Sequence, residues 1–89
     1  MPEPQEFRTD LLSLAAAAIM DGHPVERIEP LPGWKSSPRG EWVFPDPEGR
    51  IEKLRRAYMS EELRVEPRRF TTALAEARNQ MFAWVDEQR

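Results

Sequence analysis

PRRFTTALAEARNQMFAWVDEQ, residues Pro67–Gln88, is the longest stretch of the chain with one sustained periodicity. Phe70, Ala73, Leu74, Ala77, Met81, Trp84 and Val85 recur at three- and four-residue steps, which places them on one face of an amphipathic helix. Pro67 suits the first turn of that helix, where its missing N–H is not needed. A helix of this length needs a layer to pack against, so the remainder of the chain is read for what could supply it.

Working outward, residues 1–4 hold two prolines and are expected to fray. A first helix is expected from Gln5 to Asp21, closed by Gly22 in a left-handed cap and stopped by Pro24. Phe7, Leu11, Leu14, Ala15 and Ala18 form one stripe, and Leu12, Ala16 and Ile19 a second. A helix apolar over most of its girth is buried on more than one side, so it is either central or at a subunit interface. The second possibility predicts a homodimer through this helix. His23 to Pro32 carries too many prolines for a regular element, with Val25 and Ile28 pinning it to the core.

Residues 33–45 read as a β-hairpin. Ser37-Pro38-Arg39-Gly40 has the proline and glycine of a type I turn. Pairing Ser37 with Glu41 sets Ser36 opposite Trp42 and Trp34 opposite Phe44 on one face. Asp46-Pro47 then reads as an N-cap and first helical residue of a second helix, with Ile51, Leu54, Ala57 and Tyr58 inward. A break is expected near Met59, and Ser60-Glu61-Glu62 resembles a fresh N-cap that would open a short fourth helix. The expected fold is therefore mainly α: one domain over residues 1–89, three to four helices, and a short hairpin between the first and second.

Composition bounds the function. Eighty-nine residues without cysteine hold no disulfide framework and no thiolate chemistry. Lysine occurs only at Lys35 and Lys53 while arginine is common, which points to a GC-rich bacterial genome. The formal net charge of −3 is too small to specify a partner. The apolar run Leu11–Met20 is too short to cross a bilayer, and Glu3, Glu6 and Asp10 precede it where a secretory signal would be basic. A cytoplasmic protein is the expectation.

No catalytic, cofactor or metal motif stands out. His23 is the lone histidine, and with Asp21 it offers two ligands where a zinc site needs three or four. A small metal-dependent or catalytic protein centred on His23 is the least favoured reading. The basic stretch 50–69 offers a nucleic-acid-binding regulator using Arg50, Lys53, Arg56, Arg68 and Arg69. The last two sit at a helix N-terminus, where positive charge opposes the dipole and an anion would be welcome. The favoured reading is a non-enzymatic interaction protein, a small bacterial or mobile-element regulator that binds another protein. Trp34, Trp42, Phe44 and Phe82 are its expected anchors, since tryptophan and arginine dominate protein interfaces.

Overall fold

A computed structural model describes residues 5–32 and 39–88. In chain order the elements are β1 (Glu6–Thr9), α1 (Leu12–Met20), β2 (Arg27–Pro30), β3 (Gly40–Pro45), α2 (Arg50–Met59) and α3 (Pro67–Gln88). The strands form one antiparallel sheet in the order β1-β3-β2. β1 and β2 thus run parallel to each other, joined by α1 and separated by β3, which is a split β-α-β unit. Three helices against a three-stranded sheet make an α+β fold, which corrects the expected helical bundle with a hairpin.

The first correction concerns residues 5–9. Gln5 to Thr9 is not the opening of the first helix. Phe7 lies opposite Phe44 and Thr9 opposite Trp42, so both point into the core while Glu6 and Arg8 point out. Alternation over four residues with one apolar side chain is a weak strand signal, and pairing with β3 decides it. The helix begins at Leu12 without a side-chain cap from Leu11. It ends as expected. Gly22 has φ +93°, and the Gly22 and His23 N–H groups donate to the carbonyls of Ile19 and Ala18, both at 3.0 Å.

The second correction concerns the hairpin. Both edges of β3 are occupied: Trp42 stands between Thr9 and Ile28, and Glu41 is opposite Glu29. The partner strand is Arg27–Pro30, not Trp34–Ser37, and the expected partners Trp34, Ser36 and Ser37 lie outside the described residues. Proline does not forbid this strand. Leu31 donates to Arg39 O at 2.9 Å, so by antiparallel alternation the nitrogen of Pro30 faces away from β3, where no donor is required.

α2 starts three residues later than expected. Asp46 stays its cap, through a turn: its carboxylate accepts from Ile51 N at 3.1 Å and Glu52 N at 3.2 Å. Gly49 closes the turn at φ +72°. The break after Met59 is as expected, but Ser60 ends α2 instead of opening a fourth helix. Glu61 takes φ +63°, and the Glu61 and Glu62 N–H groups return to Tyr58 O and Ala57 O. α3 runs over Pro67–Gln88, the range its periodicity predicts.

The core lies between one sheet face and the helices. Phe7, Trp42 and Phe44 meet Leu14, Ala15, Ala18, Ile51 and Ala77. Ala15, Ala16, Ala17 and Ala18 are each at most 1 % exposed, so α1 is the central helix, with Leu12, Ile19 and Met20 half-buried at its ends. It packs principally on α3, where Ala73 and Ala77 are the buried residues. Small residues on both helices permit that close approach. The 22 residues of α3 extend roughly 33 Å and the nine of α1 roughly 14 Å. A large part of α3 therefore runs past its main support.

Candidate functional site

The part of α3 beyond α1 faces the free edge of β2 across an open cleft of about 310 Å³. Val25, Arg27 and Ile28 line one wall; Gln80, Ala83, Trp84 and Glu87 line the other. The alternation that frees the Pro30 nitrogen also turns the N–H and C=O of Ile28 toward this open side. Trp84 reaches the sheet because Gly40 has no side chain. A Cβ there would meet Trp84 Cζ3 at 2.9 Å and Ile28 Cγ2 at 2.7 Å. Behind this wall Gln80 holds a buried Oε1 that receives no hydrogen bond from the described residues. The cleft thus combines apolar walls with a strand edge that is unpaired among the described residues.

The outer sheet face is charged and differently organised. Arg8 on β1 crosses the central strand to Glu29 on β2, and also donates to Glu41 Oε1 at 3.2 Å. Arg27 on β2 crosses the other way to Glu6 at 2.8 Å, and holds Glu29 and Glu26 at 2.5 Å each. Val43, the register neighbour of both arginines, is 0 % exposed. Arginine stems cover apolar surface while their heads stay wet, which explains a buried valine on a polar face. The Arg27 hydrogen bond is the first cause holding the Glu6 carboxyl below its ordinary value, and Arg27 followed by Arg8 does the same for Glu29. Arg8 and Arg27 are held above the ordinary arginine value by the same contacts. These pairs are mutually satisfied, lie at the surface, and serve as a lid for Val43.

Comparison of the chain with protein-family models, with curated proteins and with solved structures gave no match. The site has to be read from its own chemistry.

The expected interface aromatics separate. Trp42 and Phe44 are 4 % and 0 % exposed and belong to the core, with Trp42 Nε1 donating to Ala77 O at 3.3 Å. Both lie on the sheet face that the helices cover, so neither is presented to a partner. Phe82 is 59 % exposed. Trp34 lies outside the described residues. Trp84, on the inward stripe that the sequence predicts, also walls the cleft beside β2.

The basic residues are dispersed. Arg50 pairs with Glu48 at 3.0 Å, and Arg56 lies 3.9 Å from Glu52, which Arg55 engages more closely. Lys53 and Arg68 form no ion pair among the described residues. Arg69 stands against the dipole of its own helix for a reason outside that helix. Its Nη2 donates to Met20 O at 3.4 Å, at the C-terminus of α1, where positive charge is favourable. The start of α3 is served by Glu66, whose Oε2 accepts from Arg69 N at 2.7 Å.

His23 is half-buried, 3.1 Å from Asp21 Oδ2. No group of three potential metal ligands occurs among the described residues. No helix among them is long and apolar enough to cross a membrane.

Proposed function

We propose that this chain is a non-enzymatic binding module that takes an extended segment of another protein into the cleft between β2 and α3. The observation that carries this reading is the edge of β2 at Ile28, which no strand pairs among the described residues, set beside Trp84. An added strand would exchange main-chain hydrogen bonds with Ile28. Alternate side chains of that strand would enter the apolar pocket, the usual division between affinity and specificity in strand addition. Glu87 lies in the helix wall, and Arg27 is already neutralised by Glu6, Glu26 and Glu29. The segment favoured here is therefore apolar with basic residues at its ends. The short strand and Pro30 keep the edge from pairing indiscriminately with other sheets.

The test is a displayed peptide library selected on the intact protein and on Ala83→Arg, which fills the cleft from an exposed position. Peptides with alternating apolar residues should be enriched on the wild type and lost on the variant, and should shift the Ile28 amide and Gln80 side-chain resonances. Selection of the same peptides by both proteins, or of none by the wild type, would reject the reading.

A further inference from the structure

Beyond the cleft, the same helix carries a second ridge, whose central Phe82 is left exposed by the described residues. Arg78, Phe82 and Asp86 follow at four-residue steps and so form one line along α3. At 100° per residue the centre of this line stands about 130° round the helix from the centre of the Gln80, Ala83 and Glu87 wall. Phe82 is 59 % exposed, and half-buried Val85 lies beside it. Arg78 and Asp86 are exposed, and neither forms an ion pair among the described residues. Reversed end for end about Phe82, the ridge brings its cation onto its anion.

We propose that this ridge binds a second copy of the chain, α3 against α3, antiparallel about a two-fold axis at Phe82. Phe82 meets the partner's Phe82. Arg78 faces the partner's Asp86, and Asp86 faces the partner's Arg78, as an isologous contact requires. Two i±4 ridges that interdigitate cross at about −50°, which confines the contact to a few turns. The dimer is therefore of the small, reversible class. The central α1, with its covered alanines, takes no part. This inference does not depend on what the cleft binds.

Sedimentation of the full chain from about 10 µM to about 1 mM, a range spanning weak association, tests it. The wild type should pass from monomer toward dimer. Arg78→Glu sets two acids against each other, and Asp86→Arg two bases, so each alone should weaken association at least about tenfold. An equimolar mixture of the two variants should recover it, because the introduced glutamate then faces the introduced arginine while native Asp86 faces native Arg78. Both positions are exposed, and unchanged thermal melting would confirm that the variants fold. A wild type that stays monomeric throughout, single variants that associate like the wild type, or a mixture that fails to recover would each overturn the proposal.

Discussion

Asp46 does at one position what several residues do elsewhere in the fold. It is 5 % exposed, its N–H donates to Gln5 O at 2.9 Å to extend the β1–β3 ladder, and its carboxylate caps two free N–H groups of α2. Replacing it by alanine leaves those donors unpaired in a place water reaches poorly, so Asp46→Ala should cost about 1–2 kcal/mol, measured by denaturant unfolding. A loss under about 0.3 kcal/mol would mean that the cap contributes nothing net. Glu61 offers the opposite case. It ends α2 at φ +63°, a conformation that costs a residue with a Cβ roughly 1–2 kcal/mol. Its backbone N–H makes the capping bond, which any residue other than proline could make. Glu61→Gly should therefore stabilise the protein, by about 0.5–1 kcal/mol after the added freedom of the unfolded chain is deducted. Destabilisation would show that the Glu61 side chain has a role that its contacts do not reveal.

At the scale of elements, the charged face of the sheet should make stability depend on acid. The folded carboxyls of Glu6 and Glu29 are held below their ordinary value of 4.5 by Arg27, with Arg8 assisting. A depressed carboxylate contributes stability that is fully present above 4.5 and is lost as pH falls through the lower folded value. The wild-type melting temperature should accordingly fall more steeply than that of Glu29→Gln between about pH 5 and about pH 2, and the gap between them should close at the acid end. Parallel curves would mean that the lattice over Val43 is already screened by solvent. This lattice also shows why the elements were unequally legible. α3 could be read to the residue because 22 positions repeat one period. β1 could not, because Phe7 fits a helical stripe with Leu11 and Leu14 as well as it fits a strand. β2 was concealed by Pro30, which is harmless only on an edge that faces outward. The aromatics Trp42 and Phe44 looked like interface anchors, but a central strand flanked on both sides turns them inward. Long-range pairing settled each of these cases, and local pattern carries no record of it.

For the molecule as a whole, support is distributed unevenly along its longest element. The middle of α3 is fixed by Ala73 and Ala77 against α1 and by the Trp42 bond to Ala77 O. Farther along, the sheet contact rests on Trp84 over Gly40, with the cleft on one flank and exposed Phe82 on the other. Local opening follows the density of buried contacts, so protection against hydrogen exchange should be greatest near Ala77 and fall toward Gln88. Trp84→Ala removes a large side chain that ties this end to β3 at Gly40. It should speed exchange of the amides from Met81 to Gln88 by at least about tenfold, equivalent to roughly 1.4 kcal/mol of local stability. Amides near Ala77 should change only as far as global stability does. A uniform loss of protection along α3 would show instead that the helix opens as one cooperative unit, with its far end held by the same core as its middle. The cleft and the ridge would then be surfaces of a rigid body and would bind without ordering. If the far end does open separately, a segment added beside β2 must also hold Trp84 down, so that binding at the cleft and protection of the last two turns of α3 rise together.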